Sequence, residues 1–379
     1  MSIIKNLEKL FEENKDYDKL RDELKNNEIE IKELDNLMLL YSKDNKTELQ
    51  RECNGIIVEK ETASQSGLSY NVVCMCQNKI IKFEDLTINS QEDIENMHKN
   101  IIEKLESFDN YTMEFCEDGT IIRLYNYKDK WLTATTKCID AKKSYWSSTK
   151  TFDDMFWETF KEPLSSLNKN YTYNFILLHK ENRIVVPHFF NKLIYINSID
   201  NKTRTENYEC CFKNIKSVIK IEGKNINANL DSYLNSDKRG IIFKCYKDNY
   251  CTSYQYDFTA YRYIKNIRGN TPNIETRYLE LINNIYDLYE LERYYPEYSR
   301  NFYILKSKLN KMYKEIHKLY YLSHIKKELK VTEENKYFRT LKQLHAEYKS
   351  KGEIITLEKV IKKVNSLNVH LLKKLLYSN

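Results

Sequence analysis

The sequence predicts an α+β fold: a domain of antiparallel sheets, followed by an all-helical, basic C-terminal domain. Three observations predict it. Residues 45–265 break into short runs rich in β-branched and aromatic side chains, separated by turns and a few helical stretches. After about residue 270 the apolar spacing changes to a helical period and keeps it nearly to the end. The charge divides at a similar place: within a net +6, residues 301–379 hold 18 Lys/Arg against 7 Asp/Glu, a balance of +11, while the first 300 residues carry −5. The expected partition is an N-terminal helical segment over 1–44, a sheet domain over 45–268 and a basic helical domain over 269–379.

Taken in order, the opening MSIIKNLEKLFEENKDYDKLRDEL is a charged amphipathic helix pattern without the basic-then-apolar organisation of a signal peptide. Strands are expected at 55–58, 70–76, 120–125, 130–135, 171–178, 183–186, 193–196 and 240–245, with Asn126-Tyr127-Lys128-Asp129 as a hairpin turn. Helices are expected around 92–107, 152–162 and 223–235. From Asn273 the pattern is helical. Over 302–325 the core-facing set reads as Tyr303, Leu305, Leu309, Tyr313, Ile316, Leu319 and Tyr320. Beyond Gly352, residues Ile354, Leu357, Val360, Ile361, Val364 and Leu367 read as a further amphipathic helix, and Leu371, Leu372, Leu375 and Leu376 close the chain.

Composition excludes several classes. The chain has 379 residues, 41% of them hydrophobic, enough for one large core and a smaller one. Its few glycines and prolines argue against a mainly disordered chain. No apolar run approaches the roughly 20 residues that span a bilayer, so no membrane partner is expected. Nine cysteines over this length do not make a disulfide framework. Cys74-Met75-Cys76 and Cys210-Cys211 lack the second Cys or His pair that zinc needs, and Cys53, Cys74 and Cys76 read as small buried hydrophobes. A reducing, cytoplasmic setting follows. There is no GxxxxGK[ST] loop, and the seven histidines, His317 and His324 among them, form no recognisable catalytic set.

The stretch carrying chemistry is Phe115-Cys116-Glu117-Asp118-Gly119-Thr120-Ile121-Ile122-Arg123. It resembles the first motif of T4-phage-type ATP-dependent RNA ligases, a lysine followed by any residue, Asp, Gly and Ser or Thr. That family shares its catalytic, ATP-grasp-like nucleotidyltransferase fold with DNA ligases and mRNA capping enzymes. Other slots follow in order. Cys53-Asn54-Gly55-Ile56-Ile57 resembles the Arg-Gly-Ile strand, with Asn54 for arginine, and Lys82-Phe83-Glu84-Asp85 the Lys-Phe-Phe-Asn segment. Trp131, Ala134 and Thr135 match the hairpin after the first motif. Phe175-Ile176-Leu177 and Glu181-Asn182-Arg183-Ile184-Val185 match the third, with Ile176 in an acid's place. Arg239-Gly240-Ile241-Ile242 resembles the Glu-Gly fourth motif, and Ser253-Tyr254-Gln255 the fifth, normally Lys-x-Lys. The helical end is similar to the helical appendages of such ligases and of related proteins from giant DNA viruses.

The resemblance implies a ligase-shaped protein, and the residues argue against ligase chemistry. The family's lysine amine attacks the α-phosphorus of ATP. Cys116 in its place would have to act as thiolate beside Glu114, Glu117 and Asp118, which disfavour that charge. Loss of two acids removes anionic groups from the region where magnesium would act, and loss of two lysines removes donors for the developing negative charge, one such contact being worth about 3 kcal/mol. The expectation is a degenerate, catalytically silent member that binds RNA, an RNA 5′ end or a nucleotide, with no cofactor required. Cys116, Glu117, Asp118, Gly119, Thr120, Arg123 and Arg239 would form the site for a nucleotide ligand such as ATP, GTP or a cap structure. The basic C-terminal helices would contact RNA, with tyrosines for stacking. Two alternatives remain open: an active nucleotidyltransferase in which another lysine, Lys130 or Lys137, reaches the pocket; and a structural subunit, with a viral protein partner, that binds no nucleotide.

Overall fold

A computed structural model of the protein describes residues 2–14, 16–63, 67–83, 91–221, 238–247 and 250–378. The expected helix at 223–235 lies outside them. The chain divides into two compact units, Met1–Tyr263 and Ile264–Asn379. The first is mixed α/β with antiparallel sheets, and the second is all helical.

In the first unit, helices α1 (Lys5–Glu13) and α2 (Tyr17–Asn26) precede the hairpin β1 (Ile29–Leu34) and β2 (Leu37–Ser42). Residues 29–42, expected as helical, are therefore largely strand. The alternation of Ile29, Ile31, Met38 and Leu40 puts these residues on one face, against Leu7, Leu20 and Leu24. After α3 (Glu48–Glu52), which starts in a Thr47 capping box, β3 (Asn54–Ala63) and β4 (Gly67–Cys74) complete the antiparallel sheet β1-β2-β3-β4.

Two further sheets build the rest of the unit. One has five strands in the order β13-β6-β14-β15-β5: β5 (Ile81–Lys82), β6 (Asn110–Cys116), β13 (Lys220–Ile221), β14 (Gly240–Lys247) and β15 (Tyr250–Asp257). Helix α4 (Gln91–Glu106) joins β5 to β6. The other has six strands. Its path is β11-β10-β9-β7-β8, made of β7 (Thr120–Tyr127), β8 (Lys130–Thr135), β9 (Tyr171–Leu178), β10 (Lys192–Asp200) and β11 (Glu206–Asn207); β12 (Lys216–Ser217) pairs parallel with β10. Helix α5 (Phe152–Thr159) packs Phe152, Met155 and Phe156 against Ile122, Phe175 and Tyr195 of that sheet.

The turn between β7 and β8 is Lys128-Asp129, both with φ near +55° as a tight hairpin requires (50° and 61°). The expected strand at 183–186 is absent. The backbone N–H groups of Val185 and Val186 instead bond the Asp118 carboxylate, at 2.8 and 2.9 Å, so they are unavailable to a ladder.

The second unit contains α6 (Thr259–Arg268, which begins in the first unit), α7 (Ile274–Glu280), α8 (Ile285–Tyr294), α9 (Ser299–Tyr320), α10 (Phe338–Lys351), α11 (Leu357–Asn365) and α12 (Val369–Tyr377). Its core gathers Leu291, Leu305, Leu309, Ile316, Leu344, Val360, Val364 and Leu372. Two expected core positions are exposed. Tyr303 is 74% exposed, and its neighbour Phe302 faces inward instead. Ile354 is 77% exposed because the helix begins only at Leu357, leaving Ile355 to turn inward.

Candidate functional site

The expected site lies where the five-stranded sheet ends. Gly240 pairs with Cys116 on one side and with Asp257 on the other, so these three positions form a row across β6, β14 and β15. The next row is Glu114, Ile242 and Gln255, and the one after it Thr112, Lys244 and Ser253. A side chain at Gly240 would meet the Tyr256 carbonyl oxygen at 1.9 Å. The register brings Arg239 to Cys116: its N–H donates to the Cys116 carbonyl at 3.0 Å.

Three carboxylate–cation pairs occupy this face. Lys238 Nζ lies 2.7 Å from Glu117, Arg239 Nε 2.8 Å from Asp257, and Lys244 Nζ 2.9 Å from Glu114. The Arg239–Asp257 pair is bidentate, with a second bond of 3.2 Å, and the guanidinium lies over the Tyr261 ring. Gln255 donates to the same Asp257 carboxylate, and Lys82 stands 4.0 Å from it. Burial alone would raise the Asp257 carboxyl; the Arg239 charge and the bonds from Arg239 and Gln255 outweigh that and hold it below the usual range.

Cys116 is buried between these groups. Its thiol is pushed up to about 12, chiefly by burial, with Arg239 opposing and Asp257, Asp118 and Glu117 adding to the rise. Asp118, 1% exposed, is fully engaged. Beyond the two backbone N–H groups it accepts the Tyr261 hydroxyl at 2.7 Å, and its carbonyl accepts His188 Nε2 at 2.8 Å. Gly119 is required by close approach, since a Cβ there would meet Leu178, Ile176 and the Leu177 carbonyl at 2.5–2.6 Å. Thr120 opens β7, where its hydroxyl accepts the Asn182 amide at 2.9 Å.

The structure thus brings together Cys116, Glu117, Asp118, Gly119, Thr120 and Arg239, and it places Arg123 elsewhere. Arg123 is fully buried, and its guanidinium donates to the carbonyls of Gly55 and Thr135. It ties β7 to the four-stranded sheet and presents no donor to a ligand; a central strand position facing another sheet accounts for this. Lys130 also falls outside the site. It pairs with Tyr127 at the far end of β7, about 23 Å of strand from Thr120. Lys137 is exposed, with Lys32 Nζ bonded to its carbonyl.

Several residues escaped the sequence reading. Lys238 directly precedes the recognised Arg239-Gly240 pair. Asp257 lies two residues beyond Gln255, the last residue of the expected fifth slot, and that two-residue spacing was the available signal. A cavity of about 280 Å³ adjoins the rows just described, lined by Glu114, Ile242 and Lys244 on one sheet and by Asn197, Glu206 and Tyr208 on the other. Glu206 accepts from the Asn197 amide at 2.8 Å and the Tyr208 hydroxyl at 2.9 Å, and burial raises its carboxyl above the usual range. Lys244 lies 4.3 Å from the Tyr208 ring centroid. None of the seven expected site residues lines this cavity. Glu206 belongs to a two-residue edge strand and Tyr208 follows directly after it, and so short an element has no periodic signature in sequence.

The residues present do not fit a divalent cation of the kind ligase chemistry uses. Ile176 and Arg239 offer no carboxylate at the positions the resemblance assigns to acids, Asp118 is saturated, and no three His, Cys, Asp or Glu side chains gather for a metal among the described residues. No helix among them is long and apolar enough to cross a membrane.

No family model matches the chain. In sequence it is similar to iridovirus immediate-early proteins and, over a shorter stretch, to a phage RNA ligase. It is 24% identical over 217 residues to the immediate-early protein ICP-46 homolog of Invertebrate iridescent virus 3, covering 51% of this chain and 46% of that one. To the homolog of the same name in Invertebrate iridescent virus 6 it is 23% identical over 344 residues, 83% of this chain and 72% of that one. To an RNA ligase of Rhodothermus phage RM378 it is 35% identical over 91 residues, 21% of this chain and 20% of that one. The chain thus spans about half the length of the first of these relatives and a fifth of the phage ligase. Among solved structures, an archaeal ATP-dependent RNA ligase aligns with a TM-score of 0.44 at 8% identity over 78% of this chain and 79% of that one. A putative ATP-dependent DNA ligase from Aquifex aeolicus aligns with a TM-score of 0.42 at 13% identity over 80% and 81%.

Proposed function

We propose that the protein is a degenerate member of the T4-phage-type RNA ligases that binds RNA or a nucleotide, such as an RNA 5′ end, without transferring it. The observation carrying this reading is the mutual neutralisation at the end of the five-stranded sheet. Each cation that would stabilise a phosphate is held by a carboxylate: Lys238 by Glu117, Arg239 by Asp257, Lys244 by Glu114. The nucleophile's position is a buried thiol kept protonated. Such a face retains shape and hydrogen-bonding groups but lacks a free amine aimed at phosphorus and a metal-binding acid set. The ligand classes considered are ATP, GTP and cap-like nucleotides at the sheet domain and RNA at the basic helices, in the cytoplasm or a viral factory of an infected cell. The domain limits 45–268 and 269–379 belong to this reading.

The test is fluorescence anisotropy of the full chain with a labelled 5′-phosphorylated RNA across salt, with ATP, GTP and a cap analogue as competitors. Salt-sensitive RNA binding is expected. Binding that is absent, or indifferent to salt, removes the proposal.

Lys238 favours a second reading, that of an active nucleotidyltransferase. Its amine belongs to the residue next to Arg239, whose backbone bonds Cys116, and so lies near the vacated nucleophile position. Incubation with α-labelled ATP or GTP and magnesium or manganese separates the two. A protein–nucleotide adduct lost in Lys238→Ala would establish transfer and end the silent reading.

A further inference from the structure

The helical unit holds a cavity of about 470 Å³ that no reading above uses. It lies where α9 ends. After Tyr320 the chain winds through one π turn, Tyr321–Ile325, and Lys327 follows with φ of 60°. Both are uncommon conformations. Single π turns concentrate at functional sites, and a non-glycine residue held in the left-handed region persists only when its surroundings require it.

The cavity's chemistry is one-sided. Lys327, Lys330 and Lys342 border it together with Ser323 and His324, and no carboxylate lines it. Lys326, next in sequence, is paired with Glu328 at 3.4 Å. Lys327, Lys330 and Lys342 make no ion pair among the described residues. The remaining wall is apolar and includes the half-buried Phe338, with Lys342 Nζ 6.0 Å from its ring centroid. His324 is fixed against this wall. Its ring stacks on Tyr320 at 5.1 Å with a 9° tilt, lies 4.5 Å from the His345 ring, and has Nδ1 2.7 Å from the Ser323 hydroxyl.

We propose that this cavity takes one phosphorylated nucleotide of a single-stranded RNA, with the phosphate against Lys327, Lys330 and Lys342 and the base on Phe338. Unpaired lysines select an anion, and a flat aromatic wall beside them selects a ligand whose anion carries a stacking ring. Inorganic phosphate would leave the apolar wall unused. The volume suits a ligand of nucleotide size. The inference rests on RNA being a ligand of the basic helices and assigns that contact to a particular site.

The test uses the full chain and a 5′-labelled decauridylate. Three variants are compared: Lys330→Glu with Lys342→Glu, Phe338→Leu, and a charge-matched control of Lys311→Glu with Lys318→Glu, whose lysines are exposed on α9 and do not line the cavity. The cavity double variant is expected to weaken RNA binding at least 10-fold and the control no more than about threefold. Phe338→Leu should weaken RNA binding about threefold while leaving inorganic phosphate binding unchanged. Uridine monophosphate should compete with the RNA better than inorganic phosphate does. Circular dichroism checks that each variant is folded. Equal losses in the two double variants, or an unaffected Phe338→Leu, overturn the site while leaving RNA binding intact. A phosphopeptide that outcompetes uridine monophosphate overturns it in favour of a protein partner. A wild-type chain that binds no RNA removes both this inference and the reading beneath it.

Discussion

Cys116 and Asp257 stand at the two ends of one row of the sheet, and opposite forces set their ionisation. At Cys116 burial dominates and the thiol is pushed up to about 12, so at pH 8 it stays protonated. Iodoacetamide should therefore leave Cys116 unmodified in the folded protein while alkylating the exposed Cys211, as peptide mass spectrometry would read; prompt labelling of Cys116 would contradict the site described. At Asp257 the Arg239 charge and two hydrogen-bonding neighbours overcome burial, and the folded carboxyl titrates below its unfolded value of about 3.9. A depressed carboxylate contributes stability that is complete above about pH 4 and is lost as the pH falls through the folded pKa. Asp257→Asn should be least stable relative to wild type near neutrality, where Arg239 is left without its carboxylate. The gap should narrow below about pH 4 in urea titrations at stepped pH.

Among elements, the meeting of β6, β14 and β15 with the turn after β6 positions everything else. Two glycines permit it for different reasons. At Gly240 an added Cβ would meet the backbone carbonyl of Tyr256 at 1.9 Å, and a ladder strand cannot retreat. At Gly119 two of the three nearest atoms are side-chain methyls of Leu178 and Ile176, which can shift. Gly119→Ala should cost about 1–3 kcal/mol and Gly240→Ala at least about 3 kcal/mol. Thermal melts of the two variants order them, and the reverse order would mean that β14 and β15 approach less closely than described. Arg123 acts at the same scale. Its guanidinium serves two carbonyls from different strands, Gly55 and Thr135, which makes it a fastener between sheets.

At the scale of the molecule, charge and fold are distributed together. At the end of the five-stranded sheet Lys238, Arg239 and Lys244 are held in internal pairs, while the positive excess lies after residue 300, with Lys311, Lys314 and Lys318 exposed along α9. Under the proposed function, sequence-independent affinity for RNA would come from the helical unit and be released by salt. Each lysine contact to a single-stranded phosphate adds about 0.7 to the slope of log affinity against log salt. Charge reversal at Lys327, Lys330 and Lys342 together should lower that slope by up to about 2. A slope unchanged by all three would place the contact surface elsewhere.

By itself the sequence determined the α+β-then-helical architecture, because β-branched runs, turn residues and helical apolar spacing are local properties that packing had no reason to overrule over most of the chain. It also carries the resemblance that points to Cys116, Ile176 and Arg239, and the basic excess after residue 300 is legible in one dimension. Only the tertiary structure decided what those side chains do. Arg123 reads as a ligand-facing cation until the neighbouring sheet takes its donors, Asp118 as a free carboxylate until Val185, Val186 and Tyr261 fill it. The strand expected at 183–186 failed for the same reason, its N–H groups being committed to a residue 67 and 68 positions away. Pairing between charges depends on register and on the approach of distant strands. That is why Lys238, Asp257 and Glu206 became part of the site only once the chain was folded.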